Sequence, residues 1–305
     1  MQIGMIGLGK MGANMVRKLC RADIHVVGFD SDGKSVDALI NEPGFNAAYS
    51  LDALLNALQL PRKVWLMLPA GKATSHTLDE LRLKLAPGDV VVNGGNSFYK
   101  ETVHAADMFR EAGIRFVDAG VSGGVHGLAN GYCLMVGGEA AAIQRIEREL
   151  NALAPGPGQW LHAGPSGAGH FVKMVHNGIE YGMMQAYAEG FALLAGKREF
   201  DLDIAAIADG WQHGSVVRSW LLDLTAQVLK GDQALDGIAP RVPDSGEGRW
   251  TAMEAIEQGI PAPVMSLALM SRFSSQGHGD YAAKLLAMMR NSFGGHVVVK
   301  QEEES

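Results

Sequence analysis

Hydrophobic and polar residues follow two different patterns along this chain. In the first half, short apolar runs alternate with stretches of helical period, and turn residues separate them. The apolar runs lie at 2–6, 24–29, 63–68, 89–93, 115–119 and 132–138, and the helical stretches at 13–20, 52–58, 75–85, 99–112 and 140–150. Strands that alternate with helices in this way predict an α/β domain with a doubly wound, mostly parallel sheet.

The strand pattern ends near residue 163, after the breaks at 154–158 and 164–167. Beyond it, helical periods cover 168–196, 203–210, 216–230, 248–258, 261–274 and 280–291. The segment 231–248 between two of them is long and irregular, and loops of that length are commonly functional. We therefore expect a domain over 1–163 and an all-α domain over 164–305.

Composition narrows the function classes. The 305 residues are 47% hydrophobic and 19% charged, with a net charge of −7, so a large core can form. The chain has no long basic run, which argues against nucleic-acid binding, and no apolar run of the ~20 residues that cross a bilayer. Cys20 and Cys133 lack metal-ligand spacing, and His, Asp and Glu form no such cluster either. We expect a cytoplasmic protein without a metal.

A glycine-rich loop follows the first strand. It reads Gly7-Leu8-Gly9-Lys10-Met11-Gly12 and opens a helix, which is the order that a dinucleotide site requires. The first glycine allows a tight turn, the second lets the backbone approach a pyrophosphate, and the third lets the helix pack on the strand. The anion would then lie at the helix N-terminus.

Asp30 ends the next strand, some 18 residues after the last glycine of that loop. A carboxylate there accepts hydrogen bonds from a ribose 2′-hydroxyl and repels a 2′-phosphate, which favours NAD over NADP. Ser31 and Lys34 would weaken this preference, so NADP stays an alternative. Asp30 as an ordinary strand-end turn residue is the other interpretation.

Three small, polar loops follow later strands, where ligands of such sheets bind. They are Pro69-Ala70-Gly71 after Leu68, Gly94-Gly95-Asn96-Ser97, and Val121-Ser122-Gly123-Gly124. Each one alone fits ordinary turn chemistry, but three at one sheet edge favour a binding site.

The helix that begins near 168 carries Lys173, Asn177 and Glu180. At a spacing of i, i+4 and i+7 they fall within roughly 60° of one another, and His176 lies at the edge of that face. A base, an amide and an acid on one face suggest catalysis, while a salt-bridged surface helix is the alternative.

The glycine loop 7–15 resembles that of the β-hydroxyacid dehydrogenases. Within that superfamily four further blocks, at 93–100, 121–124, 170–182 and 290–296, resemble 6-phosphogluconate dehydrogenase, in its short form. The resemblance implies an NAD- or NADP-dependent, metal-free oxidative decarboxylation of 6-phosphogluconate to ribulose 5-phosphate and CO2. It also implies a homodimer or a homotetramer, since a C-terminal tail would reach into the neighbouring subunit's site.

The resemblance also implies residue roles. Lys173 would be the general base and then acid, Glu180 would protonate C1, and Asn177 would complete the catalytic set. The implied substrate residues are Asn96, Ser122, Gly123, Gly124, His176, Asn177, Tyr181, Arg272, Arg290 and His296. The implied cofactor residues are Gly7, Leu8, Gly9, Lys10, Met11, Gly12, Asp30, Leu68, Pro69, Ala70 and Asn96.

The chain departs from the long form of the family in two places. The segment 244–251 is shortened, and Glu247 lies near the position of a long-form lysine, with Arg249 as a candidate substitute. Asp30 stands where NADP-dependent members have an Asn-Arg-Thr segment. Two other functions stay open: a 3-hydroxyacid dehydrogenase of the hydroxyisobutyrate type, which would not need Glu180, Tyr181 or Arg290 with His296, and a non-catalytic nucleotide-binding sensor.

Overall fold

The computed structural model describes residues 2–294 and 297–299. Its eight strands are β1 Gln2–Ile6, β2 His25–Phe29, β3 Phe45–Ala48, β4 Lys63–Leu66, β5 Val90–Asn93, β6 Arg115–Ser122, β7 Cys133–Gly138 and β8 Leu161–Gly164. The helices before β8 are α1 Lys10–Arg21, α2 Gly33–Asp37, α3 Leu51–Ala57, α4 Lys72–Lys84, α5 Tyr99–Glu111, α6 Gly127–Asn130, α7 Ala140–Arg145 and α8 Glu147–Leu153. Those after it are α9 Ala168–Gly196, α10 Ile204–Trp211, α11 Trp220–Gly231, α12 Glu247–Gln258, α13 Pro263–Ser275 and α14 Asp280–Gly294.

The strands form one sheet in the order β3-β2-β1-β4-β5-β6-β7-β8. Every neighbouring pair from β3 to β6 is parallel, β7 runs antiparallel to β6, and β8 is parallel to β7. Chain order reverses direction beside β1, so the sheet is doubly wound, and the predicted α/β fold followed by a helical region is confirmed. The carboxyl ends of the parallel strands therefore meet at one edge, where the glycine loop and the loops after β4, β5 and β6 lie.

Neighbouring residues of a strand pack into two different hydrophobic cores. On β5, Val90 and Val92 join a cluster with residues of α1 and α8, whereas Val91 joins a second cluster with residues of α3, α4 and α5. The side-chain period of two explains this division, because neighbouring residues point to opposite faces of the sheet. Both faces are covered, which is why these strands are apolar throughout rather than alternating.

Some element boundaries differ from the sequence prediction. The short strands β3 and β8 and the short helices α2 and α6 were not predicted, since four or five residues carry no clear period. The predicted helix 140–150 is two helices that break at Ile146. Helix α11 begins at Trp220 rather than at 216, because the Ser219 side chain accepts from the Leu222 backbone N–H and caps it there.

The chain forms two compact units, Met1–His176 and Asn177–Ser305. In the second unit, Phe191 of α9 packs with apolar residues of α10 and α11, and Tyr181 packs with Ala268 and Leu269 of α13. The predicted domain boundary at 163/164 stays a prediction. Among the helices of residues 2–294, none combines the length and the hydropathy that a membrane span requires.

Candidate active site

The glycine loop has the backbone geometry that its sequence predicts. Gly7 has a φ of +92°, and a Cβ on Gly12 would lie 2.0 Å from the Gly7 carbonyl oxygen, so only glycine fits where α1 passes the turn. Gly9 has no described atom within 4 Å of its ideal Cβ position. Helix α1 starts directly after Gly9 without a side-chain cap among the described residues. This open helix N-terminus fits a pyrophosphate.

Asp30 lies beside that loop at the end of β2. Its carboxylate accepts from the backbone N–H groups of Leu8 at 2.6 Å and of Asp32 at 2.9 Å. The two bonds hold an anionic acceptor next to the glycine loop, where the ribose of a dinucleotide would lie. The residues present therefore fit NAD.

A cavity of about 550 Å³ opens at this place, between α1 and the segment after β2. Leu8, Gly9 and Lys10 line it, as predicted, but so do Asn14, Arg17 and Lys34. Sequence reasoning missed Asn14 and Arg17. Their spacing of four and seven residues from Lys10 on α1 is the signal that would have found them.

The loops after β4 and β5 contact each other. A Cβ on Gly95 would lie 2.6 Å from the Leu68 carbonyl oxygen, so the two backbones approach closely. The Asn93 side chain donates to Ser97 Oγ at 3.0 Å and accepts from the Gly95 N–H at 3.2 Å. These buried bonds brace the second loop, and Asn96 is exposed among its buried neighbours. Pro69 accepts from Thr74 Oγ1 at 2.7 Å, and Ala70 follows on the exposed surface.

The loop after β6 is shaped by glycines. Gly123 and Gly124 have φ values of +130° and +53°, a conformation that other residues rarely adopt. The fully buried Tyr132 ring contacts the Cβ positions of Gly123 and Gly127. Ser122 is half-buried at the end of the strand.

The same strand, β6, anchors the start of α9. Asp118 is fully buried, and its two carboxylate oxygens accept from the backbone N–H groups of Gly167 at 2.7 Å and of His170 at 2.9 Å. An acid at a helix N-terminus satisfies free donors and interacts favourably with the helix dipole. No local pattern indicates this cap, because Asp118 precedes the helix by about 50 residues.

Two residues further along β6, Gly120 makes room for Lys173. A Cβ on Gly120 would lie 2.3 Å from Lys173 Cβ, so any side chain there would displace the lysine stem. Asp118, Gly120 and Ser122 lie on the same face of the strand, because successive side chains point to opposite faces. Asp118 caps helix α9, Gly120 leaves room for the Lys173 side chain, and Ser122 begins the Ser122–Gly124 loop.

All three candidate catalytic residues lie in the continuous helix α9. Lys173 is 6% exposed and Asn177 is 8% exposed, whereas Glu180 is half-buried. A solvated Lys/Glu face does not bury its lysine, so Lys173 is not part of such a face. His176 is half-buried, next to the two buried positions.

In the second unit, Tyr181 and Arg272 stack. The Arg272 guanidinium carbon lies 3.5 Å from the centroid of the Tyr181 ring, and its Nη1 donates to the Pro243 carbonyl at 2.9 Å. The Tyr181 hydroxyl lies 3.3 Å from Ser245 Oγ and accepts from the Ser245 backbone N–H at 3.4 Å. A Cβ on Gly248 would meet the Tyr181 ring at 2.5 Å, so α12 approaches the ring through a glycine.

Carboxylates hold the other polar groups of this cluster. Asp244 pairs with Arg249 Nε at 2.6 Å, and the Arg249 guanidinium lies 4.4 Å from the centroid of the Phe273 ring. Glu247, at 4% exposure, accepts from Ser245 Oγ at 2.6 Å. Arg249 is thus paired with a carboxylate and Glu247 with a serine hydroxyl, and Arg249 as a substitute for the long-form lysine stays a prediction.

The C-terminal candidates are only partly described. Arg290 is exposed on α14, while His296 lies outside the described residues. The first unit thus contains the glycine loop, Asp30, the three loops at the sheet edge and Lys173. The second unit contains Tyr181 and Arg272, which stack on each other.

Two family models together match almost the whole chain. Residues 2–164 match the NAD binding domain of 6-phosphogluconate dehydrogenase, and residues 169–301 match the C-terminal domain of that enzyme. The chain belongs to the 6-phosphogluconate dehydrogenase family. It accordingly has a Rossmann-type NAD-binding domain and is an oxidoreductase of that family.

Relatives of similar and of greater length exist. The chain is 40% identical over 304 residues to an NAD(+)-dependent, decarboxylating 6-phosphogluconate dehydrogenase of Haloferax volcanii, covering 99% of this chain and 100% of that protein. It is also 40% identical to YqeC of Bacillus subtilis over 99% of this chain and 100% of YqeC, which carries the family name provisionally. The NAD(+)-dependent enzyme of B. subtilis is 35% identical, but the match covers 90% of this chain and 61% of that enzyme.

Solved structures agree with the fold. The 6-phosphogluconate dehydrogenase of Plasmodium falciparum, described with NADP+ and with 6-phosphogluconate, superposes with a TM-score of 0.84 at 27% identity. That match covers 100% of this chain and 67% of the Plasmodium chain. A 3-hydroxyisobutyrate dehydrogenase of Mycobacterium tuberculosis has a TM-score of 0.72 at 22% identity, with 92% of this chain and 94% of that chain covered, and it shares the fold.

Proposed function

We propose that this protein oxidises and decarboxylates 6-phospho-D-gluconate to D-ribulose 5-phosphate and CO2, with NAD as the hydride acceptor. The observation that carries the proposal is the buried Lys173 on a helix anchored to β6, within a chain that matches the family over both domains. The name of the Haloferax relative, which matches over the full length, supports both the reaction and the cofactor.

The proposed chemistry needs three groups of this chain. Lys173, acting as a neutral amine, takes the proton of the C3 hydroxyl while the C3 hydrogen leaves as hydride. NAD supplies the acceptor for that hydride. The resulting 3-keto acid loses CO2 by cleavage of the C1–C2 bond, and the Lys173 ammonium returns its proton to the C3 oxygen that gains the charge.

The enediol that remains is completed by a proton at carbon. Glu180, half-buried on α9, supplies this proton to the atom that becomes C1 of the product, while Lys173 takes back the proton of the C3 hydroxyl, which becomes the C2 carbonyl of the product. Asn177 is proposed to hydrogen-bond the C3 oxygen, and His176 and the loop residues Asn96, Ser122, Gly123 and Gly124 to hold the carboxylate and the hydroxyls. Because this protonation has no counterpart in a simple 3-hydroxyacid dehydrogenase, Glu180 separates the two functions.

We infer that Tyr181 and Arg272 bind the substrate phosphate, with Arg290 and the partner copy's tail completing the site. The stacked guanidinium keeps two N–H edges in one plane, which suits a phosphate oxygen pair. Ser245, next to the Tyr181 hydroxyl, and Arg249, in the same segment of the chain, are candidate further donors. These assignments make the active unit a homodimer or a homotetramer of the protein.

Exposed apolar side chains in the second unit support such an assembly. Ile256 of α12 is 80% exposed, and Val264 and Leu267 of α13 are 67% and 65% exposed. We propose that these side chains form part of the interface between copies of the chain. The proposed compartment, the cytoplasm, rests on the use of only two unpaired cysteines.

One assay tests the proposal. Purified protein is given 6-phosphogluconate or 3-hydroxyisobutyrate, with NAD or NADP, and NAD(P)H formation at 340 nm and CO2 release are measured. We expect turnover of 6-phosphogluconate with one CO2 per NADH and with NAD preferred. Faster turnover of hydroxyisobutyrate without CO2, or no turnover with NAD bound, would favour one of the two other functions.

A pair of variants tests whether Lys173 is the general base. Lys173→Ala should lower kcat by at least ~10³-fold, because general base catalysis and charge stabilisation are both lost. Lys84→Ala, which breaks only the surface ion pair with Asp52, is the control and should keep wild-type turnover. Equal activity of the two variants would remove Lys173 from the mechanism.

A further inference from the structure

Asn14, on the second turn of α1, is a cavity residue that the proposed mechanism does not use. Its side chain lines the cavity beside the glycine loop, together with Val125. The Asn14 Nδ2 group donates to the Val125 carbonyl at 3.3 Å, although the two residues are 111 positions apart in the sequence. Val125 belongs to the short 3-10 turn Gly124–His126, which continues the Ser122–Gly124 loop. One hydrogen bond thus joins the helix of the glycine loop to the loop after β6.

The orientation of the Asn14 amide follows from a second hydrogen bond. Arg17, one turn further along α1, donates from Nη1 to Asn14 Oδ1 at 3.2 Å. The Arg17 Nε lies 3.7 Å from the Glu42 carboxylate, so this guanidinium is itself held in place. A guanidinium only donates, and an amide nitrogen cannot accept its N–H. Oδ1 therefore faces Arg17, and the amide nitrogen is the atom that reaches the Val125 carbonyl.

The other side of this loop packs on the fully buried Tyr132 ring. A Cβ on Gly127 would lie 2.0 Å from the ring and a Cβ on Gly123 would lie 3.3 Å from it, so the chain contacts Tyr132 at two points four residues apart. Gly124, between these two points, has a φ of +53°. Because so short a segment is held at both ends, a displacement of Val125 is passed on to Gly123 and Gly124.

The bond between Asn14 and Val125 is exposed to water in the free protein. Val125 is 53% exposed, and both residues lie on the cavity wall. A hydrogen bond that competes with water contributes little, whereas exclusion of water strengthens it. A dinucleotide in the cavity would cover both residues. The bond therefore becomes stronger when the cofactor binds.

We propose that Asn14 is a positioning residue that couples the binding of NAD to the binding of the sugar acid. The bound dinucleotide strengthens the Asn14–Val125 bond, and this bond holds Gly123 and Gly124 in the conformation that binds substrate. The proposal rests on the proposed function, which assigns these glycines to the substrate. Because coupling between two ligands is reciprocal, each one raises the affinity for the other by the same factor. A factor of about 5 corresponds to the net contribution of one hydrogen bond.

A titration with NADH measures this factor. NADH cannot accept a hydride and therefore forms a stable ternary complex with 6-phosphogluconate. The dissociation constant of NADH is measured by its fluorescence, in the absence and in the presence of saturating 6-phosphogluconate. In the wild type, 6-phosphogluconate should lower this constant about 5-fold. In Asn14→Ala, which has no donor for the Val125 carbonyl, it should lower the constant less than about 2-fold.

Three further variants separate this bond from other effects. Asn14→Asp keeps an acceptor for Arg17 but has no donor for Val125, so it should lose the coupling, and its charge should also weaken NADH binding by repelling the phosphates. Val125→Ala keeps the backbone carbonyl and should keep a coupling factor of about 5, even where it lowers the affinity for NADH. Lys18→Ala is the control on the same helix, because Lys18 makes no hydrogen bond or ion pair with a described residue, and it should change neither quantity.

A measurement without substrate separates this proposal from the proposed function. Hydrogen exchange of the backbone amides of 121–128 is followed by mass spectrometry, with and without NADH. In the wild type NADH should slow exchange in this segment at least about 5-fold, and in Asn14→Ala less than about 2-fold. If 6-phosphogluconate neither turns over nor changes NADH binding while this difference is seen, the proposed function falls and the coupling of the cofactor to the loop stands.

Three results would overturn the proposal. One is a wild-type coupling factor near 1 although 6-phosphogluconate is turned over. Another is the same coupling factor in Asn14→Ala as in the wild type. The third is equal slowing of exchange by NADH in these two proteins, which would indicate that the cofactor acts on the loop by direct contact alone.

Discussion

Helices α9 and α12 both begin beside candidate binding groups, but their first turns are held in different ways. The start of α9 is capped by Asp118 on β6, which lies 49 and 52 residues away from the two N–H groups it accepts from. The start of α12 is held by its own loop, where Asp244 accepts from Gly246 N–H two residues on and Ser245 donates to Glu247. The proposed base is thus positioned by the sheet, and the proposed phosphate site by local sequence.

This difference indicates which part of the candidate site is constrained by the fold and which part can vary in sequence. The step proposed for Lys173 tolerates little displacement, and this residue lies where strand, helix and loop are all fixed by buried bonds. The proposed phosphate site includes a half-exposed loop, which can change in length and charge with less effect on the fold. The segment 244–251, which the resemblance predicts to be shorter here than in the long form, would be such a change.

The largest expected effect comes from removing the long-range cap. Asp118→Ala leaves two buried N–H groups without an acceptor and should lower the free energy of unfolding by about 4 kcal/mol, measured by urea denaturation. Asp203→Ala, which removes the local cap of α10 from Ala206 N–H, is the control and should cost about 1 kcal/mol. Equal losses would mean that a cap from the sheet is no stronger than a local one.

A smaller effect is expected at the contact between β6 and the lysine. Gly120→Ala places a Cβ 2.3 Å from Lys173 Cβ and should lower kcat at least ~10-fold and stability by about 2 kcal/mol. Gly190→Ala, in α9 with no described atom within 4 Å of the new Cβ, should instead stabilise by roughly 0.5–1 kcal/mol. Wild-type kcat in Gly120→Ala would show that the lysine tolerates displacement.

In the α12 region the expected effect falls on substrate affinity. Arg272→Lys loses the stack on Tyr181 and the planar pair of donors, so the KM for 6-phosphogluconate should rise about 10-fold while kcat changes little. Steady-state kinetics with the exposed Arg218→Lys as control measures this. A fall in kcat without a change in KM would place Arg272 outside phosphate binding.

The smallest effect is expected from Asp244→Asn. The variant weakens a pair whose arginine is 51% exposed, so stability should change by less than about 1 kcal/mol, as a thermal melt would show. Arg249 becomes free to turn, and the KM for 6-phosphogluconate should change less than about 3-fold. A loss as large as that of Asp118→Ala would remove the distinction between the two helix starts.

The contrast also explains how far sequence reasoning reached. The glycine loop, the alternation of strands and helices and the spacing of Lys173, Asn177 and Glu180 are local patterns, and they predicted the fold and the candidate residues. Asp118, His170 and Thr102 form one network but come from three distant segments. Nothing local distinguishes Asp118 from other strand residues, so its partners could be found only in three dimensions.

Short elements were missed for a related reason. Strands β3 and β8 have four residues each, too few to show a period, and their pairing with longer neighbours defines them. Arg17 was missed because its role depends on which face of α1 borders the cavity. His296 lies outside the described residues, and its assignment stays a prediction from the resemblance.

The alternation of Asp118, Gly120 and Ser122 restricts how β6 can change in evolution. A strand that shifts by one residue turns each side chain to the opposite face. One inserted or deleted residue between Asp118 and Ser122 would therefore remove the helix cap, fill the space of Lys173 and redirect the serine in a single event. Single substitutions in this strand each change one contact, whereas a change in its length changes all three at once. The loop before α12 has no such restriction on its length.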